Sequence, residues 1–74
     1  MVSVKIISKT TGRPMKSQKV SIGFLGFFRG FSETVYTDSN GETHFNNDPG
    51  EGTIYVNGNA VYRGQISGMK YVYI

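Results

Sequence analysis

Apolar residues in this chain recur at every second position, broken every few residues by turn formers, and no stretch sustains the period of a helix. Successive side chains of a strand point to opposite faces, so this alternation reads as half-buried strands. Val2, Val4 and Ile6 alternate with Ser3, Lys5 and Ile7 as a first strand. Ser8 to Ser17 is polar, carries Gly12 and Pro14, and reads as a connection. Lys19 to Phe24 places Val20, Ile22 and Phe24 on one face, and Glu33 to Thr37 reads as a third strand. Asp38-Ser39-Asn40-Gly41 is a tight turn: Asp and Asn accept local backbone hydrogen bonds and Gly supplies a positive φ. Glu42 to Phe45 returns from it.

A second loop is expected over Asn46 to Gly52, built on Asp48-Pro49-Gly50. Thr53 to Asn57 then turns Ile54 and Val56 inward and Tyr55 outward, and Asn57-Gly58-Asn59 signals a hairpin. Val61 to Ile66 and Lys70 to Ile74 complete about seven short strands, a pattern that suits a sandwich or a small barrel. The expected core is Val4, Ile6, Val20, Ile22, Val35, Phe45, Ile54, Val56, Val72 and Ile74.

No linker, repeat or low-complexity segment divides residues 1–74, so one domain is expected. A chain of 74 residues buries only roughly 60% of the surface its unfolded form exposes, which makes for a thin core. The absence of cysteine excludes a disulfide framework and a thiolate metal site. No apolar run approaches the ~20 residues of a membrane-spanning helix. The first residues do not form a signal peptide, so a cytoplasmic location is expected unless a leader has been removed. Charge is uneven: Lys5, Lys9, Arg13, Lys16, Lys19 and Arg29 precede position 30, and all acidic residues lie between Glu33 and Glu51. Such asymmetry can steer an acidic partner, or simply decorate a solvated surface.

Four blocks, in order, resemble those of the carboxypeptidase regulatory-like domains, and more broadly the transthyretin-like and Cna protein B-type β-sandwiches. Gly12-Arg13-Pro14-Met15 is similar to the family's turn after the first strand, and Lys19-Val20-Ser21-Ile22 to its second strand. Thr37 to Phe45 resembles its Thr-Asp-x-x-Gly-x-aromatic hairpin, and Pro49-Gly50 with Thr53-Ile54-Tyr55-Val56 its Pro-Gly-x-Tyr-x-Val strand. The resemblance implies a small, seven-stranded antiparallel β-sandwich of the transthyretin (prealbumin) type, serving as an accessory, adhesive or scaffold module without catalysis of its own. Some Cna-type members carry a Lys–Asn isopeptide bond. Lys5 would fit its lysine, but Lys70 to Ile74 holds no Asn, so none is expected here.

Among chemistry-bearing residues, His44 is the sole histidine, and no motif supplies it with a placed nucleophile and an orienting acid. Asp38, Asn40 and Glu42 alternate like calcium ligands, yet the full loop motif is absent and a β-turn explains the same residues. No enzyme and no cofactor are therefore expected. The sharpest feature is Gly23 to Phe31, where Phe24, Leu25, Phe27, Phe28 and Phe31 are too apolar for a solvated loop. Burying one such side chain is worth roughly 1.5–3 kcal/mol. These residues either cap an open end of the sandwich or form a protein-binding patch with Arg29 as polar anchor. A second feature is the set Tyr55, Tyr71 and Tyr73, opposite the inward apolar residues and near Arg63 and Lys70. They can form ordinary cross-strand pairs, or stack the bases of a nucleic acid. The leading expectation is a protein-interaction module presenting Phe24, Leu25, Phe27, Phe28, Arg29 and Phe31; the alternative is a small basic nucleic-acid-binding domain. A homodimer through the strand Lys70–Ile74 or through the Phe-rich loop is also expected.

Overall fold

A computed structural model of the chain describes residues 1–26 and 30–74. Among them there is no helix, and eight strand segments follow in order: β1 (Val2–Ile7), β2 (Lys19–Phe24), β3 (Gly30–Phe31), β4 (Val35–Tyr36), β5 (Glu42–Phe45), β6 (Gly50–Val56), β7 (Asn59–Ile66) and β8 (Gly68–Tyr73). They form two sheets. The first runs β5-β1-β8; the second runs β3-β2-β6-β7, with β4 also on β2. β3 and β4 pair with opposite ends of the same strand, Phe24↔Gly30 and Lys19↔Tyr36, so they amount to one interrupted edge strand. The break lies at Ser32, whose hydroxyl oxygen accepts the Ile22 N–H at 2.9 Å in place of a ladder carbonyl. This is why the strand expected over Glu33–Thr37 shrinks to Val35–Tyr36.

Both sheets contribute to one core. Val2, Val4, Ile6, Phe45 and Val72 of the first meet Val20, Ile22, Phe24, Ile54, Val56 and Ile66 of the second. The alternation along β1, buried at Val2, Val4 and Ile6, is the two-residue period at work. Val35 and Ile74 pack against this core only partly buried, whereas Val2, Phe24 and Ile66 join it fully.

The expected antiparallel sandwich requires a correction. β1 pairs antiparallel with β5 but parallel with β8, from Val2↔Gly68 to Ile7↔Tyr73, so the first sheet is mixed. The chain leaves β7 at Ile66, turns through Ser67 and a left-handed Gly68 (φ 57°), and enters the other sheet beside the first strand. A second correction concerns the loop expected over Asn46–Gly52. Gly50 to Gly52 already belong to β6, with Gly52 opposite Phe24. A Cβ at Gly52 would lie 2.5 Å from the Gly23 carbonyl oxygen, so glycine here permits close strand approach rather than a turn.

The turns follow their residue chemistry. Asn57 (φ 53°) and Gly58 (φ 86°) make the two-residue link between β6 and β7, as the primed hairpin turns require. Asn57 also ties the hairpin to β2, its side-chain oxygen accepting the Lys19 N–H at 3.1 Å. Asp38 Oδ1 accepts the N–H groups of Asn40 (2.8 Å) and Glu42 (3.0 Å), and Gly41 takes φ 73°. Buried Thr37 pins the preceding connection: its hydroxyl donates to the Met15 carbonyl at 2.6 Å and accepts the Gln18 N–H at 2.9 Å.

Candidate functional site

The outward face of the second sheet carries a groove. In register across four strands lie Phe31 on β3, Gly23 on β2, Thr53 on β6 and Arg63 on β7. A glycine at position 23 leaves the floor low enough for two rings to fold over it. A Cβ there would meet Phe31 Cε1 at 3.1 Å and Tyr55 Cε2 at 3.4 Å. The two rings sit 5.8 Å apart, tilted by 41°, within the range of favourable aromatic contacts. Leu25 and Phe24 complete a groove of about 470 Å³ with Thr53 on its floor and Arg63 at its rim. Phe31 is 74% exposed and Leu25 61% exposed, although both are large apolar side chains. Among the described residues Arg63 has no ion-pair partner. The arrangement can therefore hold an apolar side chain against two rings and a leucine while offering a guanidinium to an anionic neighbour.

The residues expected in a partner-binding patch separate. Phe24 belongs to the core at 6% exposure, because it continues the inward series Val20, Ile22, Phe24 of β2, and only its margin touches the groove. Leu25 and Phe31 stand at the groove as exposed walls. Phe27, Phe28 and Arg29 lie outside the described residues. Tyr55, Thr53 and Arg63 supply the rest, and their membership depends on strand register that local patterning does not show.

The tyrosines do not share one surface. Tyr55 lies on the second sheet, whereas Tyr71 and Tyr73 are exposed on the outward face of the first. Lys70, expected to stand beside them, points to the other side of β8 and places its ammonium 4.6 Å from the centre of the Tyr62 ring.

The same outward face carries a polar cluster centred on His44. Ser3 and His44 are directly opposite on β1 and β5, with Ser3 Oγ 2.8 Å from His44 Nδ1. His44 Nε2 stands 3.6 Å from Glu42, whose other oxygen is 3.6 Å from the Lys5 ammonium. Asp38 lies close enough that its carboxylate, that of Glu42 and the imidazole fall within 4.8 Å of one another. A serine, a histidine and an acid thus come together through cross-strand register, which no local motif encodes. The order is that of a sheet ladder: the acid is beyond hydrogen-bond reach of the ring, and the serine sits mid-strand on a flat face. The Lys5 ammonium on Glu42 also opposes a cation. Asp38 is held below the ordinary carboxylate value chiefly by the Glu42 backbone N–H, with the Asn40 N–H and the charges of His44 and Lys5 adding to it.

Compared with known proteins, the chain has no match: no family model fits the sequence, and no curated protein or solved structure matches it significantly. Among the described residues no helix is long and apolar enough to cross a membrane.

Proposed function

We propose that this domain is a non-catalytic protein-interaction module that receives an apolar side chain of a partner segment in the groove of the second sheet. The carrying observation is the exposure of Leu25 and Phe31 at the rim of a formed groove rather than in the core. Apolar groups of that size normally seek cover, and an aromatic anchor filling a pocket is a usual centre of binding energy. Arg63, at the rim, selects a partner with an acidic residue beside its apolar anchor. The four sequence blocks extend this reading to a transthyretin-like accessory or scaffold domain. The nucleic-acid alternative loses support from the placement of charge. Near the exposed Tyr71 and Tyr73, Lys5 is paired with Glu42 and Lys70 lies over Tyr62.

The test is fluorescence anisotropy with short labelled peptides carrying one central Leu or Phe, flanked either by Asp/Glu or by Lys. The acidic set is expected to bind, a Leu25→Ser/Phe31→Ser variant to lose at least about tenfold, and Arg63→Ala to lose the preference for acidic flanks. Equal binding of both sets, or undiminished binding by the double serine variant, would remove this reading. Tight binding of oligothymidylate that weakens steeply with salt would replace it with the nucleic-acid one.

A further inference from the structure

Two open sheets leave four edges, and an unguarded edge is a template for another strand. Three of the four are blunted. β5 is only four residues long, with Glu42 and His44 along it. The β3/β4 edge is broken where the Ser32 hydroxyl replaces a ladder carbonyl. β7 carries a register shift opposite Ile54/Tyr55 and a positive-φ Gly64. Over that glycine lies the Tyr62 hydroxyl, which donates to the Gln65 carbonyl at 2.9 Å.

β8 has none of these devices. Its six residues keep unbroken register with β1, and no strand covers its far side among the described residues. Ile74, just beyond it, both donates to the Ile7 carbonyl (2.9 Å) and accepts the Lys9 N–H (2.8 Å). By the alternation of a parallel ladder, Val72 and Lys70 likewise turn their backbone groups toward β1. Met69, Tyr71 and Tyr73 then turn theirs outward. A lysine is the usual guard of such an edge, but Lys70, the sole charged residue of β8, is drawn to the Tyr62 ring.

We infer that two copies of the chain pair antiparallel through β8, with the two-fold axis at Tyr71. This surface lies on the first sheet and is independent of the groove. Centring on Tyr71 brings every outward-turned residue opposite another: Tyr71 faces Tyr71 of the second copy, and Met69 faces Tyr73. Each such pair exchanges two backbone hydrogen bonds. On the exposed face the Tyr–Tyr pair is flanked by two Met–Tyr pairs, contacts that favour association. No charge is opposed to its own image, because Lys70 falls opposite Val72. The result is one sheet, β5-β1-β8-β8-β1-β5, with the self-complementary contact of a two-fold dimer. A contact confined to one strand pair falls below the roughly 1,200 Å² of a standard stable interface, so the dimer forms in a concentration-dependent way.

The chain has no cysteine, so introduced ones report the register directly. Hydrogen-bonded partners lie about 5.5 Å apart between Cα atoms, within disulfide range. Under mild oxidation Tyr71→Cys is expected to give a covalent dimer. Met69→Cys alone is not, since the two copies of residue 69 lie about 13 Å apart along the strands. The double variant Met69→Cys/Tyr73→Cys cross-links again. In sedimentation equilibrium up to about 1 mM protein, Tyr71→Glu should weaken the wild-type dimer at least about tenfold, because like charges face each other across the axis. Within one copy the new carboxylate lies in register with Lys5, so the fold tolerates it, which the thermal midpoint checks. Tyr36→Glu, in register with Lys19 on the other sheet, should leave association unchanged. Wild type that stays monomeric at 1 mM overturns the inference, as does cross-linking of Met69→Cys as fast as Tyr71→Cys.

Discussion

Gly12 and Gly41 share the same left-handed φ of 73° but not the same surroundings, which makes them a matched pair for separating backbone strain from crowding. A Cβ at Gly12 would meet nothing within 4 Å. One at Gly41 would lie 2.7 Å from the Ile6 carbonyl oxygen, 2.9 Å from Pro14 Cβ and 3.0 Å from the Met15 nitrogen. The crowding arises because the Asp38–Gly41 turn closes onto β1, the Gly41 carbonyl accepting the Ile6 N–H at 2.8 Å, while Met15 donates to the Ile6 carbonyl at 2.9 Å. The obstacles at Gly41 are mostly backbone, held by those bonds, and cannot swing aside as a flexible side chain would.

Gly12→Ala should therefore cost only the left-handed conformation, roughly 1–2 kcal/mol. Gly41→Ala adds overpacking of roughly 1–3 kcal/mol. The sum is a large part of the roughly 4–11 kcal/mol expected for a domain of this length. With a urea dependence near 1 kcal/mol per molar, the midpoint for Gly41→Ala should lie about 1–3 M below that for Gly12→Ala. Asparagine tolerates the left-handed region better than alanine but keeps the Cβ. Gly12→Asn should thus recover toward wild type, whereas Gly41→Asn, which keeps the crowded Cβ, should remain well below Gly12→Asn. Urea unfolding followed by circular dichroism reads all four. Midpoints for the two alanine variants within about 0.3 M of each other would refute the crowding argument.

The division of the Phe-rich segment is tested by truncation. Phe24→Ala should cost about 3–5 kcal/mol as a core deletion and Phe31→Ala less than about 1 kcal/mol, measured by the same unfolding; similar losses would mean that Phe31 is also core. The lowered pKa of Asp38 gives a pH signature. A depressed carboxylate contributes stability that is present above its unfolded pKa and is lost as pH falls through the folded one. Asp38→Ala should accordingly unfold more readily than wild type at pH 7, and the gap should close in acid below the ordinary carboxylate range. A gap that is the same at pH 7 and pH 2 would deny the carboxylate its part in the turn.

Local pattern reached far into this fold where burial repeats along a strand. Val4/Ile6, Val20/Ile22 and Ile54/Val56 are inward as their alternation predicts, and Asn57-Gly58 turns as its chemistry predicts. The failures are of another kind. Phe24 is in phase with Val20 and Ile22, but the density of aromatics after it reads as a separate patch. Gly50 and Gly52 read as loop punctuation, although Gly52 answers to the Gly23 carbonyl on a neighbouring strand. Ile66 reaches the core in a strand whose register slips opposite Ile54/Tyr55, a defect with no signature in its own residues. The parallel partnership of β1 and β8 joins segments more than sixty residues apart and depends on which sheet the chain enters after Ser67.

Candidate sites were less legible than the core for the same reason. A groove made of Phe31, Gly23, Thr53 and Arg63 is a row across four strands, and each residue is ordinary within its own strand. By alternation the tyrosines read as one surface, since all alternate with buried residues, yet alternation says only inward or outward, not which sheet. Separating Tyr55 from Tyr71 and Tyr73 changes what each can do. Tyr55 gains a phenylalanine beside it and an arginine across the groove, a setting for a side chain. Tyr71 and Tyr73 sit on a strand whose only charge is engaged elsewhere, a setting for another strand. Because the two surfaces belong to different sheets, pairing through β8 extends the first sheet and leaves both grooves of the dimer open. A dimer built this way presents two equivalent grooves to one partner, and the second contact is then made at the effective concentration set by the first.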